Sequence, residues 1–288
     1  MSTAFVLAGG AALGAIEAGM VEALYERGIA PDYLVGASAG ALNAAFLGSR
    51  PADVSTAHEL QAVWRGLRRE QVFPRRLRVL IGGALGRRNH FFPNDGVRAL
   101  IEDKLATGRI EDLPTAVGIV VCDLLSGEEE LLESGSIIDA ALASSAIPGV
   151  FPPVAINGRP AVDGGVANNT PISHAIARGC ERIYVLPTGV SRRLAAPPKG
   201  AIGMFVQAAA LLLHQRLRYE IEALRDQAEL IVLPPPWPLD VLPTDFSRAD
   251  ELITRARDDA RKALDSAHPD EASTDMALRR MAPDDHPT

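Results

Sequence analysis

The sequence predicts an α/β protein, a three-layer sandwich whose mostly parallel central sheet is flanked by helices. Three observations carry this: short apolar runs alternate with helical stretches, glycine-rich turns stand between strand and helix, and the spacing suits right-handed crossovers between parallel strands.

The elements follow in order. Ala4 to Leu7 reads as a strand, and after a glycine turn Ala11 to Arg27 reads as a helix with Ile16, Met20, Val21 and Leu24 on one face. Gly28 is placed to end it. A short strand, Tyr33 to Val35, a helix, Ala39 to Leu47, and another helix, Ser55 to Leu67, come next. Pro74, Gly82, Gly83, Gly86 and Pro93 break up the region 65–93, which reads as a flexible cap or lid. Asn94 and Asp95 can cap a helix running to Ala106. Ala116 to Leu125 suits a central strand with Glu129 to Leu132 as its hairpin partner. A helix from Ser136 to Ser145, a strand near Val154 to Ile156 and a turn carrying Asp163 lead to a helix at Pro171 to Ala177 and a strand at Arg182 to Leu186. The remainder reads as a loop from Gly189 to Lys199, a helix from Ala201 to Asp226, a strand at Leu230 to Leu233 and a helix from Ser247 to Ala267. Residues 1–267 are expected to form one domain, and 268–288, poor in apolar residues, a disordered tail.

Composition narrows the function. With 288 residues and 47% hydrophobic content the chain can bury a full core. Its formal charge of -7 gives no global attraction to nucleic acid, and no such partner is expected. One local exception stands out: Arg65, Arg68, Arg69, Arg75, Arg76, Arg78, Arg87 and Arg88 are opposed only by Glu70. Interleaved with Val79-Leu80-Ile81 and Phe91-Phe92, these cations suit peripheral membrane contact through 65–93, or simply a solvated surface. Cys122 and Cys180 have the setting of reduced, buried thiols, so a cytoplasmic location is expected, with peripheral membrane contact left open. Thr3 to Ile16 lacks charge, but no Lys or Arg precedes it, so it is not read as an export signal. Gly200 to Gln215 is apolar yet short of the ~20 residues that span a bilayer.

Three motifs carry chemistry. Gly36-Ala37-Ser38-Ala39-Gly40 lies between a strand and a helix, where so tight a turn demands small neighbours and lifts the Ser38 hydroxyl above the sheet. Gly9-Gly10-Ala11-Ala12-Leu13-Gly14 makes a similar turn whose amides near Gly9, Gly10 and Ala11 can face a negative oxygen. Asp163-Gly164-Gly165 offers a carboxylate that could serve as base if it comes within ~3 Å of Ser38, or else a plain Asx turn. His174 is the rival base, because the order Ser38, Asp163, His174 matches that of many hydrolase triads. No zinc or calcium spacing is visible and no cofactor is expected.

Taken in order, the turn at Gly9 to Gly14, the pentapeptide Gly36 to Gly40 and Asp163-Gly164-Gly165 resemble the patatin-like phospholipase family. Ala143-Ser144-Ser145-Ala146-Ile147-Pro148 and Asn169-Thr170-Pro171 look like further landmarks of it. The resemblance implies a patatin-like fold and a serine hydrolase acting on lipid acyl esters, with Ser38 as nucleophile, Asp163 as base and no metal. Gly9, Gly10 and Ala11 would form the oxyanion hole, with Gly14, Gly36, Gly40, Gly164 and Gly165 as supporting turns. Two departures bear on it: Ala11 stands where the family usually has a third glycine, and Leu13 where it often has Arg or Lys. The remaining alternatives are a Ser-His hydrolase or acyltransferase using His174, and a catalytically silent member that binds lipid or protein through the arginine-rich cap.

Overall fold

The computed structural model describes residues 1–266 except 75, 106, 107, 190–196, 238 and 240, together with Thr274. The expected tail, 268–288, otherwise lies outside the described residues, as does most of the loop expected at Gly189 to Lys199.

Eight strands join into one mixed sheet flanked by helices. The chain runs β1 (Thr3–Leu7), α1 (Ala15–Tyr25), β2 (Tyr33–Ala37), α2 (Ala39–Gly48) and α3 (Val54–Gly66). Two short helices, α4 (Arg69–Val72) and α5 (Leu77–Ala84), precede α6 (Asp95–Lys104), β3 (Ala116–Asp123), β4 (Glu129–Leu132) and α7 (Ile137–Ser144). Then come β5 (Val154–Ile156), β6 (Arg159–Asp163), α8 (Ile172–Ala177), β7 (Arg182–Leu186), α9 (Gly200–Leu224), β8 (Glu229–Val232) and α10 (Ala249–Leu264).

Side chains on successive strand residues point to opposite faces, and β1 uses both. Phe5 and Leu7 join the core beneath α1, α2, α3, α7 and α10, whereas Ala4 and Val6 join Val35, Val120, Ile183 and Val185 beneath α8 and α9. Burying each large side chain contributes on the order of 2 kcal/mol, so both faces must be covered for the sheet to persist. Strands β3, β2, β1, β7 and β8 are parallel neighbours in that order.

The registers on β3 position the site. β2 and β4 both pair with Ile119 and Val120, so they occupy opposite edges of β3. β4 and β6 both pair with Val121 and Cys122, so they too are on opposite edges. β6 therefore continues along the edge that β2 uses, running toward it.

Some elements differ from the sequence reading. The helix expected from Ala11 begins as a 3-10 turn, Ala11–Gly14, because Ala11 has a left-handed φ of 50° that an α-helix cannot include. β6 was not foreseen, since Pro160 argues against a strand; Pro160 stands opposite Leu124, just past the end of β3, where its missing amide falls outside the ladder. Within 65–93, α5 runs through Gly82 and Gly83, and the region is anchored by Phe73. The Phe73 ring lies 5.5 Å from Phe92, 5.6 Å from Phe151 and 6.2 Å from Phe246, while Phe91 and Phe92 amides bond to the Gly149 and Val150 carbonyls.

Candidate active site

β2 ends at Ala37 opposite Val120, and β6 ends at Asp163 opposite Val121. Two strands advancing head to head along one edge of β3 thus deliver Ser38 and Asp163 to the same point. The Ser38 Oγ hydroxyl donates to Asp163 Oδ2 at 2.6 Å, and both residues are buried. The length is that of a short hydroxyl-to-carboxyl hydrogen bond.

Ser38 has φ 53° and ψ -122°, a sparsely populated conformation that costs about 1–3 kcal/mol and needs support. Close backbone packing supplies part of it: a Cβ on Gly36 would lie 2.5 Å from the Gly40 carbonyl, and one on Gly40 2.2 Å from the Leu7 oxygen. Only glycine lets β2, α2 and the end of β1 approach this closely. Ser144 supplies the rest. Its hydroxyl accepts from the Ser38 amide at 2.9 Å and donates to the Val120 carbonyl at 2.7 Å.

Asp163 is oriented from both sides. Its Oδ1 accepts from the Gly165 amide at 2.8 Å, and its own amide donates to the Ala146 carbonyl at 3.0 Å. Burial pushes its carboxyl up to about 6, while the bonds from Ser38 and Gly165 pull the other way. Gly164 crosses directly over Val120, and Gly165 lies against the Asn169 side chain.

The glycine-rich turn divides its labour. The Gly9 amide, expected among the oxyanion donors, instead donates to the Asn169 carbonyl at 3.0 Å. The Gly9 carbonyl accepts from Thr188 Oγ1 at 2.7 Å and from Asn169 Nδ2 at 3.3 Å, so Gly9 is clamped. Among the described residues, the amides of Gly10 and Ala11 have no acceptor. Gly10 packs tightly on Thr188, and Ala11 lines the same cavity as Ser38. The left-handed φ of Ala11 costs about 1 kcal/mol that a glycine would avoid. Leu13 packs partly buried against the core, and the Gly14 carbonyl accepts from Asn43 at 3.0 Å.

The cavity beside Ser38 is apolar, walled by Leu42, Phe46, Trp64, Phe73, Ile101 and Phe151 among others. α2, α3, α6 and the cap anchor Phe73 meet there, so an unbranched apolar chain can lie against them with its polar end at Ser38.

His174 is not brought to Ser38. It sits on α8 with Nε2 3.5 Å from Glu129 Oε1, in a separate hollow with Tyr33 and Arg178. Among the described residues, no group of His, Cys, Asp and Glu is arranged to hold a metal, and Cys122 and Cys180 are free and buried. Ser144, Asn169 and Thr188 were not singled out as site residues from the sequence. The first two lie within landmark stretches that hinted at importance without a role; Thr188 carried no signal.

An open α/β sheet with a serine-carboxylate pair at a strand-to-helix turn defines the general class. The patatin-like phospholipase profile matches residues 5–176, and this chain belongs to that family. An uncharacterised NTE family protein of Mycobacterium tuberculosis is 34% identical over 173 residues, covering 59% of this chain and 27% of that protein. Lysophospholipase NTE1 of Mycosarcoma maydis is 28% identical over 196 residues, covering 66% of this chain and 10% of that protein. The chain therefore spans a minor part of these relatives' length. The crystal structure of VipD from Legionella pneumophila aligns with a TM-score of 0.45 at 16% identity, covering 97% of this chain and 66% of that one.

Proposed function

We propose that the chain is a lipid acyl hydrolase working through Ser38 and Asp163. The observation that carries this is the 2.6 Å hydrogen bond from the Ser38 hydroxyl to Asp163, made at an apolar cavity large side chains have left open. Asp163 takes the hydroxyl proton as Ser38 Oγ attacks the acyl carbonyl, and the leaving alcohol recovers that proton as the C–O bond breaks. Water, deprotonated by the same carboxylate, then attacks the acyl carbon, and Ser38 Oγ recovers that proton from Asp163 as its ester bond breaks and the fatty acid leaves. The Gly10 and Ala11 amides face the oxyanion in both steps, a contribution worth on the order of 3 kcal/mol per donor. The acyl chain occupies the cavity.

The NTE1 relatives are named lysophospholipases, which supports a lipid ester as substrate. Leu13, packed where many family members carry a cation, leaves neutral esters as acceptable as phospholipids. The cap supplies cations elsewhere: Arg65 and Arg76 are paired with Asp250 and Asp95, whereas Arg68, Arg87 and Arg88 are exposed with no acidic partner among the described residues, which favours peripheral contact with anionic lipid.

A fluorophosphonate probe should label the wild type and leave Ser38→Ala unlabelled, with ester hydrolysis lost in parallel. Unchanged turnover of an acyl ester by Ser38→Ala would sink the reading.

A further inference from the structure

Helix α9 connects β7 to the parallel strand β8, so it starts beyond the carboxyl edge of the sheet and returns across its face. Its second half does the packing: Leu217 and Ile221 are buried against the sheet, and Arg216 reaches the Ala167 carbonyl just after the Asp163 turn. The stretch from Gly200 to Leu213, about 20 Å of helix at ~1.5 Å per residue, therefore stands past the rim that carries Ser38.

This stretch contains no charged residue, and none of its described residues is buried. Met204, Val206 and Leu211 are exposed, and Phe205 and Leu212 are 75% and 73% exposed. A helix that is apolar around its circumference is ordinarily enclosed by protein or lipid, and a water-facing patch of this size marks a docking surface.

The exposed apolar side chains continue around the same rim on other elements. Leu124 and Leu125 sit on the turn after β3, Val166 follows the Asp163 turn, and Leu242 precedes Pro243, whose carbonyl holds the Ala12 amide. Lys199, the cation at the start of the stretch, is exposed, and the cap carries exposed Arg68, Arg87 and Arg88. Cations around an apolar surface complement the phosphates and acyl chains of an anionic bilayer.

We infer that residues 200–213 of α9 insert into a lipid bilayer and seat the Ser38 rim on it, so that the substrate passes from membrane to cavity without crossing water. A second copy of this chain on the same surface is the competing outcome that the test separates. The inference rests on the lipid hydrolase reading, yet its deciding test, flotation of the Ser38→Ala chain, does not use turnover.

The full chain carrying Ser38→Ala, which leaves vesicle lipid intact, is floated with phosphatidylcholine vesicles containing a minor fraction of phosphatidylglycerol. It should float with them, and Phe205→Glu combined with Leu212→Glu should lower the bound fraction at least about tenfold, since two large apolar side chains lose their burial. Emission of Phe205→Trp should shift to the blue on adding vesicles. With Ser38 present, the paired glutamates should spare hydrolysis of a soluble short-chain ester while reducing attack on vesicle lipid. Flotation unaffected by the paired glutamates, or a stable dimer in solution that they dissociate, overturns the inference. Failure of Ser38→Ala to stop ester hydrolysis strikes the catalytic reading alone.

Discussion

Asp163 and Glu17 are both carboxyl groups sealed from solvent, and burial raises the proton affinity of each. What faces them differs. Asp163 receives the Ser38 hydroxyl beside an open cavity, whereas Glu17, on α1, receives the Asn43 amide at 2.7 Å, and Asn43 in turn accepts from Trp64 Nε1 at 2.9 Å. Glu17 is held by a structural network between α1, α2 and α3. Burial raises basicity at both places, but of the two only Asp163 accepts from a hydroxyl that lines the cavity.

The largest expected effect tests that distinction. Asp163→Asn should lower ester hydrolysis by about 10³-fold, the middle of the usual range of general-base contributions, whereas Glu17→Gln should retain hydrolysis. Equal losses in the two variants, measured with a chromogenic acyl ester, would erase the comparison.

Next comes pH. With Asp163 in the proposed role of base it must be ionised, so kcat/KM should fall as pH drops through about 6. An acid limb near the ordinary aspartate range, in a rate profile of the wild type, would show that burial does not tune this group.

Stability should move the opposite way. A carboxyl whose folded proton affinity is raised from 3.8 to about 6 contributes stability below the first value and loses it as pH rises through the second, in total about 3 kcal/mol. Above pH 6, Asp163→Asn should therefore be more stable than the wild type in urea titrations, with the gap closing toward pH 4. Glu26 and Asp123, whose bonded carboxyls are lowered, act in the reverse sense in both proteins, so the difference between variant and wild type is the quantity to read.

The smallest effect belongs to Glu17→Gln. Burial raises the proton affinity of Glu17, and a glutamine keeps an oxygen for the Asn43 amide, so this variant should change stability by less than about 1 kcal/mol. A large loss would mean that Glu17 holds its charge.

The sequence and the structure differ most where backbone proximity replaces local pattern. The strand at Ala4 to Leu7 and the following helices were readable because apolar spacing is a property of neighbours along the chain. β6 was not, because Pro160 masks a strand whose warrant is its place between β3 and β5. The glycine turn was visible, but the capture of the Gly9 amide by Asn169 depends on a loop 160 residues away. Ser144, which holds the strained Ser38 amide, belongs to a helix that a periodicity argument ranks as ordinary core.

Local sequence determined the alternation of strands and helices, the layered sheet that must bury both faces, and the family to which the chain belongs, since apolar periods and glycine spacing are encoded between near neighbours. Tertiary structure alone decided that β2 and β6 converge on one edge of β3, that Gly10 and Ala11 rather than Gly9 keep free amides among the described residues, and that α9 outruns its sheet. Those outcomes depend on which distant strands share an edge and where a helix first meets the sheet, and neither is written in the spacing of residues along the chain.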